Sequence, residues 1–106
     1  MRDRYTVELT EQATKDVRKL RPWAEQVIRN LLILETEPMR GHVLTGSLRG
    51  ARSLEFSLKG SGVFRAVYIV RDDHRVCLVF IVGPHENIYD RAERRILAVR
   101  RALDDE

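Results

Sequence analysis

The sequence predicts an α+β fold: a mostly antiparallel four-stranded sheet with a two-helix hairpin packed on one face and a C-terminal helix. Three observations carry this. Apolar residues recur with a helical period between positions 13 and 34, the period changes to two from Arg52 onward, and a helical period returns after Asp90. The order strand, helix, helix, three meandering strands and helix is that of a sandwich with helices on one face of the sheet. A chain of 106 residues can bury one core but hardly two, so residues 1–106 are expected to form a single domain.

Each element has a local cause. Tyr5-Thr6-Val7-Glu8-Leu9 alternates apolar with polar residues and reads as a short, half-buried strand. Thr10 suits a helix N-cap, with Glu11 favourable to the dipole in the first turn. Ala13, Val17 and Leu20 then form one apolar stripe, while Lys15, Arg18 and Lys19 point elsewhere. Pro22 ends this helix and starts the next, whose Trp23, Val27, Ile28, Leu31, Leu32 and Leu34 make a broader buried face. So short a connection predicts an antiparallel hairpin. Pro38 and Gly41 close the helical region, and residues 40–50, with three glycines, read as loop.

From Arg52 onward Leu54, Phe56 and Leu58 point one way, leaving Ser53, Glu55, Ser57 and Lys59 on the other face. Gly60-Ser61-Gly62 is a turn, and Val63 to Val70 is a strand rich in β-branched and aromatic residues. Asp72-Asp73-His74 turns again into Arg75 to Val82, the most apolar strand, expected to lie centrally. Gly83-Pro84 is expected to stop it. Asp90 to Leu103 carries a helical pattern through Ala92, Ile96, Val99 and Leu103, and so few apolar positions predict a helix among the less firmly held elements.

The segment Met1-Arg2-Asp3-Arg4 leads into the first strand without the apolar core of a signal peptide, and no apolar run is long enough to span a bilayer. A cytoplasmic protein with no membrane partner is the expectation. Cys77 is the only cysteine, which excludes a disulfide framework or a cysteine-based zinc site within one chain, and its apolar surroundings make it a buried small hydrophobe. The formal net charge is +3. Between positions 40 and 75 stand Arg40, Arg49, Arg52, Lys59, Arg65, Arg71 and Arg75 against Glu55, Asp72 and Asp73, where a phosphate-rich partner would bind. Taken alone, such an excess is more often a solvated surface.

No glycine-rich phosphate loop precedes a helix, no serine sits in a nucleophile elbow, and His42, His74 and His85 fall in no metal-ligand spacing. Neither a metal nor a cofactor is expected. What remains is Lys59 at a strand end, Arg65 on the adjoining strand, and His85 and Tyr89 just beyond the central strand, with Arg49, Arg52, Ser57 and Arg71 as flanking candidates for RNA contact. Such a set can cut RNA without a metal. Attack by the ribose 2′-hydroxyl needs a base for its proton, cations for the growing charge on the phosphate, and an acid for the leaving oxygen. Arginine offers a planar fork, lysine a mobile point charge, histidine a proton carrier near neutral pH, and tyrosine a stacking surface. Plainer roles stand beside these: Arg65 as a structural partner of Glu55, Lys59 as a solvated turn residue, His85 as a cap, Tyr89 as an anchor for the last helix. His42 and His74 read as surface loop residues and Trp23 as core.

The pattern resembles the RelE/ParE superfamily of toxins from bacterial toxin–antitoxin pairs. The resemblance is carried by Tyr5 to Leu9 leading into two helices, the Pro38 to Leu48 connection, Leu58-Lys59-Gly60-Ser61-Gly62 with Phe64-Arg65-Ala66-Val67-Tyr68, and Ile81-Val82-Gly83-Pro84-His85-Glu86-Asn87-Ile88-Tyr89. It covers nearly the whole chain. For the RelE branch it implies a type II toxin that inhibits translation as a ribosome-dependent, metal-independent endoribonuclease, cleaving mRNA in the decoding site by 2′-hydroxyl attack on the scissile phosphate. By position, Lys59 resembles the second of the family's two strand lysines, Arg65 its phosphate-stabilising arginine, and Tyr89 the tyrosine that orients the RNA. Ser57 stands where the first lysine, a proposed general base, would be, and His85 replaces a basic residue proposed as the acid. Implied partners are a cognate antitoxin, the ribosome with bound mRNA, and operator DNA only through the antitoxin complex. The missing lysine at 57 leaves two alternatives: a ParE-like poison of DNA gyrase acting by binding, and a degenerate, non-catalytic member.

Overall fold

Strands that alternate apolar with polar residues bury one side and leave the other to be covered or used. A computed structural model describes residues 4–105. The elements are β1 (Thr6–Leu9), α1 (Glu11–Arg18), α2 (Ala24–Leu31) with a 3-10 turn at Leu32–Glu35, β2 (His42–Val43), a second 3-10 turn at Gly46–Leu48, β3 (Arg52–Leu58), β4 (Gly62–Arg71), β5 (Val76–Pro84) and α3 (Ile88–Asp104). The strand order is β1-β5-β4-β3-β2, with β1 parallel to β5 and every other pair antiparallel.

The fold class stands, with corrections. The sheet has five strands rather than four and is mixed, because the helix pair returns the chain so that β1 lies parallel on the edge of β5. The extra strand, β2, lies inside the expected loop; its two residues pair with Ser53 and Arg52 and are too short to show a period of two. The second helix ends at Leu31 and tightens into a 3-10 turn. β5 continues through Gly83 and Pro84, which pair with Arg65 and Phe64. The helices do not share one face: α1 and α2 cover one side, and α3 packs on the other.

The two faces make two cores within the one sheet-centred fold, where the length alone predicted a single one. Val27, Leu31 and Leu34 meet Phe56, Leu58, Phe64 and Val79 in the first. In the second, Ile88, Ala92 and Ile96 of α3 close on Val67, Phe80 and Ile81. A β-bulge divides β5 between them. Val67 pairs with Ile81 and Tyr68 with Val79, leaving Phe80 as the extra residue. Cys77 and Val79 before it and Val82 after it face the first core, while Phe80 and Ile81 both turn toward α3. Both faces of this strand are covered, which is why it is apolar at almost every position.

Local contacts hold the frame. Thr10 caps α1, its hydroxyl accepting the Ala13 N–H at 3.1 Å. Tyr68, fully buried, donates its hydroxyl to the Pro38 carbonyl at 2.8 Å and accepts the Gly41 N–H at 2.9 Å, tying the loop before β2 to the core. Gly41 has no room for a side chain there, because a Cβ would lie 2.8 Å from both the Ser53 carbonyl and the Tyr68 hydroxyl. Cys77 is buried, and desolvation pushes its thiol up to about 11.

Pairing with β1 stops at Leu9 opposite Val79, so the far part of β5 has a bare edge. A charge closes it. Asp16 of α1, only 5% exposed, accepts the Val82 N–H at 3.0 Å and takes both arms of Arg95 at 2.7 and 3.1 Å. Arg95 also donates to the Phe80 carbonyl at 2.8 Å. α3 is therefore held by more than its sparse apolar residues, through a contact that its own pattern does not reveal.

Candidate functional site

α3 shields only part of its face of the sheet. Val67 and Ser53 lie buried beneath it, whereas Glu55 and Ser57 are exposed and Val63 and Arg65 half-buried at the uncovered end. Strand pairing sets these residues in rows, since directly opposed residues of antiparallel strands project to the same face. One row is Ser53, Val67 and Ile81; the next is Glu55, Arg65 and Gly83. The third is Ser57, Val63 and His85, the last joined by the His85 N–H to the Val63 carbonyl at 3.1 Å.

Arg65 occupies the middle of the open end. Its guanidinium donates twice to Glu55 Oε1, at 3.1 and 3.3 Å, and lies 5.3 Å from the centroid of the Tyr89 ring. That is a cation–π stack. Tyr89 reaches over the sheet from the first turn of α3, and its hydroxyl donates to Ser53 Oγ at 3.1 Å and lies 3.4 Å from His42 Nε2. His85 is exposed at the chain's exit from β5, with Nε2 at 3.2 Å from Glu86 Oε2. Asn87 then takes a positive φ of 59°, a left-handed turn that asparagine tolerates, and starts α3.

The structure therefore brings Arg65 and Tyr89 into contact and sets His85 and Ser57 on the adjoining row. Lys59 lies one residue past β3, exposed at the start of the turn into β4, with no side-chain hydrogen bond or ion pair among the described residues. Three expected RNA-binding residues fall elsewhere. Arg52 projects to the opposite face, where its guanidinium donates to the carbonyls of Met39 and Gly41 at 3.0 and 2.7 Å. Arg71 is six residues along β4 from Arg65, roughly 20 Å away at strand spacing. Arg49 is exposed beside α3, its carbonyl accepting from Arg100 at 2.6 Å.

His42, expected in a surface loop, lies on β2 with its Nε2 3.4 Å from the Tyr89 hydroxyl; the two-residue strand that places it leaves no signal in the sequence. Asp16 had a signal. It falls between Ala13 and Val17 on the apolar stripe of α1, and a carboxylate at a core-facing position requires a buried partner. Among the described residues no group of three or more histidine, cysteine, aspartate or glutamate side chains is arranged to hold a metal ion. Nor is any helix there long and apolar enough to cross a membrane.

No protein-family model and no curated protein matches the chain. Solved structures do. A mutant of the E. coli toxin RelE in the free state superposes with a TM-score of 0.67 at 31% identity, over 88% of this chain and 98% of that one. The same toxin in complex with a peptide of the antitoxin RelB gives 0.60 at 32% identity, over 83% and 93%. A chain of the toxin–antitoxin complex RelBE2 from Mycobacterium tuberculosis gives 0.70 at 27% identity, over 80% and 95%. Identity at this level, over almost the whole length of the E. coli toxin and with one shared fold, means that the chain belongs to the RelE family of toxins.

Proposed function

We propose that this protein is the toxin of a toxin–antitoxin pair and acts as an endoribonuclease that cleaves mRNA in the decoding site of the ribosome. The observation that carries the reading is Arg65, presented at the centre of an open sheet face by Glu55 on one side and the Tyr89 ring on the other. An arginine so placed grips a phosphate with two parallel hydrogen bonds. Tyr89 offers its ring to a base. Lys59 supplies a second cation from the turn after β3.

The reaction is an attack of the ribose 2′-oxygen on the adjacent phosphorus, forming a 2′,3′-cyclic phosphate and releasing the 5′-oxygen of the next nucleotide. With serine at position 57, the carboxylate on the reacting rows is Glu55. A phosphate that takes over Arg65 frees Glu55 from its ion pair, and Glu55 then accepts the 2′-hydroxyl proton. His85, on the neighbouring row, returns a proton to the leaving oxygen. Arg65 and Lys59 hold the charge that grows on the phosphate, so the step as written needs no metal. A cognate antitoxin is the natural partner by likeness to the RelE–RelB complexes, and the basic face favours an acidic antitoxin segment.

The test is single-turnover cleavage of mRNA on translating ribosomes. The wild type should cut, Arg65→Ala and His85→Ala should each lower the rate by about a hundredfold or more, and Glu55→Gln should leave RNA bound but uncut. A wild type that arrests growth, leaves mRNA whole and blocks supercoiling by DNA gyrase would refute the reading in favour of a gyrase poison, the alternative that Ser57 suggests.

A further inference from the structure

We infer that Arg91 is a second phosphate-gripping arginine of this site, passed from α3 into the Arg65 row through the notch left by Gly83. The inference rests on the reading of the open face as an RNA site and names a residue that reading does not include. Gly83 is the direct cross-strand partner of Arg65, so a side chain at position 83 would project to the same face, beside the base of the Arg65 side chain. There is none, and the place is filled from elsewhere. A Cβ on Gly83 would come within 2.9 Å of Arg91 Nη1. The Arg91 guanidinium thus stands where the side chain of residue 83 would be, next to Arg65 on the same face.

Its charge is also the less committed of the two. Arg65 is already paired with Glu55 at 3.1 Å. Among the described residues Arg91 has only Asp16, at 3.8 Å, and both oxygens of Asp16 are taken by Arg95 and the Val82 N–H. On its other flank Arg91 borders a hollow lined with Gln12, Arg94, Arg95 and Ala98, a lining that holds no carboxylate. Its side chain is 38% exposed, enough for an anion to reach it. Two guanidinium groups on one sheet face, one of them without a close counter-charge among the described residues, suit successive phosphates of a strand.

The probe is a short RNA whose 2′-hydroxyls are replaced by 2′-O-methyl groups, so that it binds without being cut. Its affinity is measured against salt for the wild type, Arg91→Gln, Arg91→Lys and Gly83→Ala, beside single-turnover cleavage on ribosomes. Arg91→Gln should reduce the slope of log affinity against log salt by about 0.7, the share of one phosphate on a single strand, and Arg91→Lys should restore it. Cleavage by Arg91→Gln should fall about tenfold or more. Gly83→Ala should weaken binding with Arg91 still present, because the flexible guanidinium is the group that yields to the new methyl. A slope unchanged in Arg91→Gln, with or without a lower melting temperature, overturns the inference, since a merely structural partner of Asp16 would alter stability alone. So does a wild type that fails to bind the probe. If the wild type binds but does not cut, the endoribonuclease reading falls, and the slope still decides the role of Arg91.

Discussion

Two arginine–carboxylate pairs stand on either side of β5, and they are built for opposite purposes. Asp16 and Arg95 are 5% and 20% exposed, joined by two short hydrogen bonds, with the remaining capacity of the carboxylate spent on a backbone N–H. Glu55 and Arg65 are 54% and 25% exposed, joined through one carboxylate oxygen and stacked on an aromatic ring. A pair removed from water cannot exchange partners without leaving a bare buried charge. A pair in contact with water can, because its attraction is screened and an incoming anion replaces one hydrogen-bond set with another. The same chemical couple is a rivet at one place and a latch at the other.

The comparison breaks most easily at the rivet. Asp16→Ala should cost about 3–5 kcal/mol in urea unfolding, because Arg95 and the Val82 N–H lose their partner together. A loss under 1 kcal/mol would mean that the buried pair is not holding α3 to the sheet. At the latch the effect should move from stability to activity. Arg65→Ala should change unfolding by no more than about 1 kcal/mol while lowering cleavage by a factor on the order of 100. Comparable losses in both would make Arg65 structural. Tyr68→Phe, which strands the Gly41 N–H and the Pro38 carbonyl, should cost about 1–3 kcal/mol and leave RNA binding intact, since the ring projects into the first core.

The smallest effect is alkaline. Burial raises the Cys77 thiol from 9.0 to about 11, so the folded state keeps its proton while the unfolded chain releases it. The stability this contributes is fully present below pH 9 and is lost as pH rises toward 11. Between pH 8 and 9.5 the loss should be below about 1 kcal/mol, and Cys77→Ala should remove that part of the pH dependence. Tyr68, also raised chiefly by burial, acts in the same direction at higher pH.

Most of the frame was legible because helices and strands write their periods into the chain. Thr10 as a cap and the turn at Gly60-Ser61-Gly62 followed from local pattern, whereas β5, expected at the centre, lies second in the order and β4 takes the middle. What escaped depended on contacts between distant residues. Two residues of β2 are too few for a period, and the pairing of β1 with β5 is settled by topology rather than by either strand. In the site, alternation along β3 already put Glu55 and Ser57 on one face, to which only the pairing of Arg65 with Glu55 adds Arg65. It also placed Arg52 on the other, which a count of basic residues obscured. Tyr89 stood out by its place just beyond the most apolar strand and took its role from likeness, whereas its neighbour His42 emerged only once β2 set it opposite Ser53.

The clasp between Asp16 and Arg95 spans 79 positions of sequence. As the chain emerges N-terminus first, the sheet and its first core are complete in sequence at Pro84, ahead of α3. Until that helix docks, Asp16 lacks its arginine, the Phe80 carbonyl lacks its side-chain donor, and the open face lacks Tyr89. Completion of the fold and completion of the working surface are therefore one late event, governed by the same final helix.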